Sequence, residues 1–398
     1  MEIRICSFNM CKFSSKEGRK NDKRLDKIIE LLSDPLGGQR ACFDILAIQE
    51  IFDKAAMDTL LNYIKMAFVG DWKGCWGKPK VGNMPRRIYS ELSPEERKKY
   101  ASAEEGYAYI WNARVINLVR IRLSDGSDRE FKPRIINQYT KEQYSLVGRP
   151  EIRNRQELIR NPFYARFAPT DSSGYSRLFE LRLLNAHIMF GKGRNIAEAD
   201  MKDVQLRRQE FRMLATRILP AISEKKYGTQ KLISAGTISA KSSYTILLGD
   251  YNLNLKCVGN KGPYVPEIIH MEGEYIQELL VQSDLCTYKE MPERTIKDIL
   301  TVQKEKTSLI KPIKVKNGDD SSVEEKKRMI MADLYDRKKY YANNYDHFTY
   351  DQKRFEGVLV SYERIDAVSN APYFGEYDKY QEEVSDHVPV LLRFQYGG

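Results

Sequence analysis

The chain opens on an alternating run, Glu2-Ile3-Arg4-Ile5-Cys6-Ser7-Phe8-Asn9, which reads as a strand. Residues 22–33 then place Leu25, Ile28, Ile29 and Leu32 on one helical face. Phe43-Asp44-Ile45-Leu46-Ala47-Ile48-Gln49-Glu50 is a short apolar run, as a strand buried on both faces requires. A second helix carrying Ala56, Leu60, Ile64 and Ala67 follows. This strand–helix–strand–helix opening favours an α/β class.

Residues 70–100 lose the pattern among Gly, Pro and scattered Lys and Arg, and read as a long loop with a short helix after Ser93-Pro94. Residues 106–123 look like a hairpin, with Tyr107–Trp111, a turn at Asn112-Ala113, then Val115–Leu123. Polar, basic sequence fills 124–160, and strand signals return at Phe163–Phe167 and Leu178–Ala186. The longest helical pattern spans 195–225, with Phe211, Leu214, Ile218 and Ile222 on one stripe. Thr245–Leu248 reads as a strand, 274–284 as a helix, and Gly357–Ser361 and Val388–Phe394 as closing strands. Residues 301–341 mix both signs of charge around Asn317-Gly318-Asp319-Asp320 and read as an inserted loop or helical excursion, outside the core.

Composition narrows this picture. With 398 residues, 42% hydrophobic and 11% aromatic, the chain can bury a large core. A disordered chain would be poor in such residues, and no run approaches the roughly 18 apolar residues of a membrane-spanning helix. Length alone suggests two or three domains. The absence of a repeat or low-complexity linker instead favours one elaborated domain over 1–398. Lys and Arg number 65 against 55 Asp and Glu, a net +10 that fits an anionic partner such as nucleic acid or a solvated mixed-charge surface. The N-terminus enters a strand at once, without a basic, apolar or cleavage segment, so the expectation is a cytoplasmic protein. Six cysteines are scattered without CxxC pairs and read as small buried hydrophobes, not a zinc site.

The strand ends carry the candidate chemistry. The first strand runs into Asn9 and the second into Gln49-Glu50; a later one ends at Asn185-Ala186-His187. Ile246-Leu247-Leu248 runs into Gly249-Asp250-Tyr251-Asn252, and Ser385-Asp386-His387 leads into the last strand. Of only four histidines, His187 and His387 stand at such ends, and His347 lies in Asn343-Asn344-Tyr345-Asp346-His347. Catalytic and binding groups gather at strand ends over a rigid sheet. Singly, each has a plainer reading: Asn9 as a turn residue, Glu50 as a helix N-terminal acid, His187 as a satisfied half-buried imidazole.

Together and in this order, these motifs resemble the endonuclease/exonuclease/phosphatase superfamily, and within it the deoxyribonuclease I-like nucleases. Glu105-Gly106-Tyr107-Ala108-Tyr109-Ile110-Trp111 and Arg160-Asn161-Pro162-Phe163-Tyr164-Ala165-Arg166-Phe167 strengthen the narrower likeness. The resemblance implies a four-layer α/β/β/α sandwich with its site at one end, and leaves about 70–100, 124–155 and 297–342 as insertions. It also implies a Mg²⁺ site, with Mn²⁺ or Ca²⁺ as alternatives. Glu50, Asn9 and Asp386 are the ligand candidates, all oxygen donors of the kind hard cations select.

The resemblance further pairs His387 with Asp346 and His187 with Glu105. The first pair suits a general base and the second an acid or transition-state donor, although related branches give the base role to the Asp250 position. Asp250 is expected to orient the attacking water or a second metal, Asn252 to bond the phosphate, and Arg160 to hold a phosphate by its planar fork, or else to form a surface ion pair. His347 stands where the family pattern has arginine, and is either a packing or solvated residue or a substrate-facing one.

The Pro-Ala-Trp-x-Asp-Arg signature of inositol-phosphate phosphatases is absent. Basic stretches at 73–99 (Lys73, Lys78, Lys80, Arg86, Arg87, Arg97, Lys98, Lys99) and 129–166 (among them Arg129, Lys132, Arg134, Arg149, Arg160 and Arg166) suit a polynucleotide backbone. The expectation is therefore an endonuclease acting on DNA, with RNA as a second polynucleotide. The alternatives are a phosphatase or phosphodiesterase on a small or lipid-headgroup phosphate, and a binding or scaffold protein of the same fold. A nuclease retained in the cell implies restraint, for instance by an inhibitory protein partner, or delivery into another cell.

Overall fold

The apolar runs at the start of the chain lie side by side. In the computed structural model, β1 (Glu2–Phe13) and β2 (Ile45–Ile51) are parallel neighbours at the centre of a six-stranded sheet. Described residues are 1–17, 19–79, 94, 105–123, 125–136, 158, 160–188, 207, 210, 211, 213–225, 242–257, 264–267, 299–301, 305–310, 340–369 and 372–397. The sheet is completed by β3 (Trp72–Gly77), β4 (Gly106–Asn112), β18 (Val358–Arg364) and β19 (Val390–Tyr396), in the order β18-β19-β1-β2-β4-β3.

The second sheet runs β14 (Ile299–Thr301), β17 (Asp346–Asp351), β11 (Ser243–Asp250), β10 (Glu180–His187), β9 (Phe163–Ala168) and β5 (Asn117–Leu118), with β8 (Arg134–Ile135) also on β9. Here β10 and β11 are the parallel pair. Three short ribbons complete the described strands: β6 (Arg120–Arg122) with β7 (Asp128–Glu130), β12 (Asn254–Cys257) with β13 (Tyr264–Glu267), and β15 (Ser308–Leu309) with β16 (Tyr341–Asn343).

Strand alternation sorts the side chains into layers. Ile3 and Ile5, with Ile45 and Ala47, meet Leu181, Leu183, Ile246 and Leu248 in the core between the sheets. Their chain neighbours Cys6, Phe8, Leu46 and Ile48 face outward. There α1 (Arg19–Leu31), α2 (Lys54–Ala67) and the helix Tyr377–Glu383 cover them with Leu25, Ile28, Leu60, Ile64 and Tyr380. On the far side, Leu214–Glu224 lays Leu214, Ile218 and Ile222 on Leu184 and Leu247, with Phe211 beside them. The layers are helix, sheet, sheet, helix, as the resemblance implies. No helix among the described residues is long and apolar enough to cross a membrane.

Three sequence expectations need correction. Trp72–Gly77 is not loop but the edge strand of the first sheet, paired along β4. Its glycines mislead because they mark close approach: a Cβ on Gly77 would lie 2.5 Å from the Phe163 ring. Residues 106–123 are not a hairpin, because β4 belongs to one sheet and β5 to the other. A turn closed by Val115 and Ile116 amides on the Asn112 carbonyl carries the chain across, and alternation alone does not distinguish the two. Finally, the 301–341 excursion contributes to the core at its described ends, where Thr307, Leu309, Tyr340 and Tyr341 are buried. The helix expected at 274–284, residues 195–206 of the long helical pattern, and most of the segment around Ser93-Pro94 lie outside the described residues.

Candidate active site

Parallel pairing brings the polar strand ends together. Asn9 aligns with Gln49, and His187 with Asp250, while antiparallel β17 sets Asp346 opposite Asp250. Gly249 allows this closeness: its φ is +129°, and a Cβ there would lie 2.0 Å from the Ala186 carbonyl oxygen. Several non-glycine residues around it are also left-handed, with φ of 43° at Cys11, 59° at Lys12, 57° at Glu50 and 50° at Asn252. Such conformations cost of order 1–3 kcal/mol each and persist only where the surroundings impose them. Here β1 and β2 both break register beside Asn9 and Glu50, which turns the Glu50 carboxylate back over the strand ends.

Under the site, the sheets are joined by amides. Gln49 Nε2 donates to Asn185 Oδ1 at 2.7 Å and to Ser7 Oγ at 3.2 Å; Asn185 Nδ2 donates to the Ile48 carbonyl at 2.9 Å. All three side chains are fully buried, where unpaired polar groups would be costly. Tyr107 OH accepts from the His187 backbone N–H at 3.0 Å. Ser385 Oγ donates to the Asn9 carbonyl at 2.7 Å and accepts from the His387 N–H at 3.1 Å, tying the first strand to the last loop.

Asp250 stands at the centre of the site. Its Oδ2 accepts from Asn9 Nδ2 at 2.9 Å, and its Oδ1 from the Asn252 N–H at 2.8 Å. His187 Nε2 lies 3.5 Å from Oδ2, and His387 Nε2 lies 3.7 Å from the same atom. Burial pushes the Asp250 carboxyl up to about 6, with Asp346 acting the same way and the two imidazoles opposing.

Each imidazole is backed by a second carboxylate. His387 Nδ1 donates to Asp346 Oδ2 at 2.7 Å. Burial works against the imidazolium, but Asp346 and Asp250 hold the His387 pKa well above its ordinary value. Asp346 lies below the usual carboxylate range: burial alone would raise it, and His387 and the Thr307 hydroxyl bring it down. His187 Nδ1 is 2.9 Å from Glu105 Oε2, but Arg160 Nη1 sits 2.8 Å from that oxygen and 3.0 Å from Nδ1. Burial and Arg160 oppose the charge on His187, and Glu105 with Asp250 raise its pKa on balance. Glu105 falls to about 2 despite burial, because His187 and Arg160 stabilise its charge.

All ten sequence-predicted residues surround this end of the sandwich, in geometries the sequence leaves open. Arg160 is buried in its pair with Glu105, and the surface ion pair is excluded. Arg166 lies in another buried pair, 2.5 Å from Glu180, so it too leaves the cationic surface expected over 129–166. Asn252 turns its amide nitrogen inward, donating to the Ile188 carbonyl at 2.8 Å and lying 3.2 Å from His187 Nε2. His347 takes the packing role: it is buried, its Nε2 donates to the Leu253 carbonyl at 3.0 Å, and its ring centre is 5.2 Å from that of Tyr251. Alternation along β17 sends it to the face opposite Asp346 and Phe348.

For a metal, Glu50 and Asn9 are adjacent, with Asn9 Nδ2 3.1 Å from Glu50 Oε1. Glu50 and exposed Asp386 both border Cys11, whose thiol is pushed up by burial and then by these two carboxylates, so it stays protonated. The amide nitrogen of Asn9 thus lies between Glu50 Oε1 and Asp250 Oδ2, while its Oδ1 accepts from the Cys11 N–H at 2.9 Å. Glu50, Asn9 and Asp386 would offer a cation oxygen donors, the kind Mg²⁺ prefers. Among the described residues, two groups of side chains converge closely enough to share an ion: Glu50, Glu105 and His187, and Asp250, Asp346 and His387.

Sequence reasoning missed Thr307, Ser7 and Arg24, whose guanidinium bonds the Met10 and Val384 carbonyls beside the site. Tyr107 falls within a quoted motif, but no spacing signal marks its hydroxyl as a partner of His187.

The helix–sheet–sheet–helix layering is the one that the endonuclease/exonuclease/phosphatase resemblance implies. No family model and no curated protein matches the sequence. Solved structures similar to it include an endonuclease/exonuclease/phosphatase family protein from Bacteroides thetaiotaomicron, 12% identical, covering 100% of this chain and 99% of that one at a TM-score of 0.37. A 3′-5′ exonuclease from Neisseria meningitidis is 14% identical over 99% and 100% of the two chains, with a TM-score of 0.39. Sphingomyelinase C from Streptomyces griseocarneus is 13% identical over 100% of both, also at 0.39. At these identities and TM-scores the likeness carries no assignment, and the chemistry rests on the site's own geometry.

Proposed function

We propose that the chain is a divalent-metal-dependent phosphodiesterase, and specifically an endonuclease that hydrolyses DNA phosphodiester bonds, with RNA as a second polynucleotide. The observation that carries this reading is the buried Asp250 carboxylate facing two imidazoles, each backed by its own carboxylate. Such a group can orient a water for in-line attack and accept its proton, since its pKa of about 6 lies near neutrality. His387, held cationic by Asp346, suits donation to a phosphate oxygen or the departing oxygen better than the base role. His187 lines the other side with Asn252. Glu50, Asn9 and Asp386 would hold the cation. Bound there, Mg²⁺ would neutralise charge growing on the phosphate oxygens.

Support for a polynucleotide comes from the exposed cations Lys73, Arg129, Lys132 and Arg134 and the half-buried Lys78. The burial of Arg160 and Arg166 removes two others, and favours as second reading a phosphodiesterase or phosphatase acting on a small or lipid-headgroup phosphate.

Supercoiled plasmid, single-stranded DNA, RNA and phosphoinositide vesicles, each with Mg²⁺ or Mn²⁺ and with EDTA, separate these readings. Metal-dependent nicking, lost in Asp250→Ala and His387→Ala, is expected. Nicking that survives both substitutions sinks the assignment, and turnover of the lipid phosphate alone promotes the second reading.

A further inference from the structure

The pair Asp346–His387 is assembled from two chain segments, and a third runs between them. Thr307 lies in the stretch Glu305–Ile310, inside what the sequence presents as an insertion, and its side chain is fully buried. Its Oγ1 accepts from the backbone N–H groups of both Tyr345 and Asp346, at 3.1 Å each. Its carbonyl accepts from the Val388 N–H at 2.9 Å, and the Leu309 N–H donates to the Asp386 carbonyl at 2.8 Å. An antiparallel bridge joins Ser308 to His387. One residue therefore bonds the backbone of the Asp346 segment with its side chain and the backbone beside His387 with its main chain.

The stretch is itself fixed from three directions. Ser308 and Leu309 pair with Tyr341–Asn343, the Ile310 N–H donates to the Tyr340 carbonyl at 2.8 Å, and Leu309 is buried in the outer core. Arg364 Nη1 donates to the Lys306 carbonyl at 2.7 Å, and Gln381 Nε2 to the Ile310 carbonyl at 2.5 Å. Because Thr307 Oγ1 accepts twice, its own proton is available to the Asp346 carboxylate, which feels that hydroxyl as a stabilising partner.

We infer that Thr307 is a positioning residue that sets the Asp346–His387 geometry, so that this part of the insertion is a working part of the active site. The inference rests on the phosphodiesterase reading only for its kinetic consequence; the geometric claim stands apart from it. A valine at 307 keeps the shape and removes the hydroxyl. Both N–H groups then lose their acceptor, and Asp346 gains freedom to shift against His387. Small misplacements of a catalytic group cost on the order of 10- to 100-fold in rate.

The test uses the full chain and two independent readouts. In EDTA at fixed pH, proton NMR should show a downfield imidazole N–H resonance from His387 Nδ1, absent in Asp346→Ala. Thr307→Val should lose or broaden this resonance, and Thr307→Ser should keep it. With Mg²⁺ and supercoiled plasmid, Thr307→Val should lower kcat about 10- to 100-fold with little change in KM, and Thr307→Ser should recover most of the rate.

Should Thr307→Val fail to fold, Thr307→Ala removes the same hydroxyl without bulk and carries the same expectation. A folded Val or Ala variant with the resonance and kcat both unchanged overturns the inference. So does a folded Thr307→Ser that behaves like Thr307→Val, since the hydroxyl is then not the operative group. If the wild type leaves plasmid uncut, the endonuclease reading fails while the resonance still decides the role of Thr307.

Discussion

The two histidine–carboxylate pairs flank Asp250 from opposite sides, and they differ in both electrostatics and support. His387 faces carboxylates at both ring nitrogens, Asp346 at 2.7 Å and Asp250 at 3.7 Å, and is held firmly as a cation. His187 has the same kind of partners, but the Arg160 guanidinium shares Glu105 with it and opposes its charge. One pair is therefore a cationic imidazole matched by its own carboxylate, and the other an imidazole that shares its carboxylate with a second cation. Their supports differ too. His187 is placed by strand register beside Asp250 within a sheet. His387 and Asp346 depend on the Glu305–Ile310 stretch that bonds both of their segments. Similar sequence signals thus yield unlike halves of one site.

The largest effect tests what the two halves share. Asp250→Asn keeps the shape and removes the charge both imidazoles face. Plasmid nicking should fall by about 10²–10⁴-fold, measured as the initial rate of supercoil loss. A rate within about threefold of wild type would remove Asp250 from the chemistry.

A smaller effect separates the pairs. Arg160→Leu removes the cation that opposes charge on His187, so the His187 pKa should move further up while that of His387 stays in place. Imidazole proton shifts followed against pH in EDTA would show this. Equal movement of both histidines would mean that the pairs are not electrostatically distinct.

The subtlest effect is on stability. The Glu105 carboxyl falls from 4.5 to about 2 on folding, so its contribution is complete above pH 4.5 and is lost as pH drops toward 2. The gap in melting temperature between wild type and Glu105→Gln should be widest above pH 4.5 and narrow as pH falls to about 2. A gap that is flat across this window would mean that the Glu105 charge contributes nothing to folding.

Much of this is legible in the sequence because strand ends announce themselves locally. A buried strand is an apolar run, and Asn9, Glu50, His187 and Asp250 each interrupt or end one. The stripe Phe211, Leu214, Ile218 and Ile222 is likewise a local signal, and all four residues are buried against the second sheet. Trp72–Gly77 is not legible, since Gly77 is set by its approach to Phe163 and Gly74 by its approach to Met57 and Leu61, which local pattern does not encode. The burial of Arg160 and Arg166 is hidden for the same reason: arginine reads as surface until its carboxylate partner is placed beside it.

The sequence by itself determines the layered α/β class, the strands that carry the polar ends, and the order of the motif residues, because these follow from side-chain period and residue type along the chain. The tertiary structure alone decides that Asp250 lies between two imidazoles, that Arg160 unbalances one of them, that His347 packs away from the site, and that Thr307 joins Asp346 to His387. The contacts behind these four facts span from the 27 positions between Arg160 and His187 to the 137 between Asp250 and His387, and such distances close only when strands pair in register and the two sheets pack face to face.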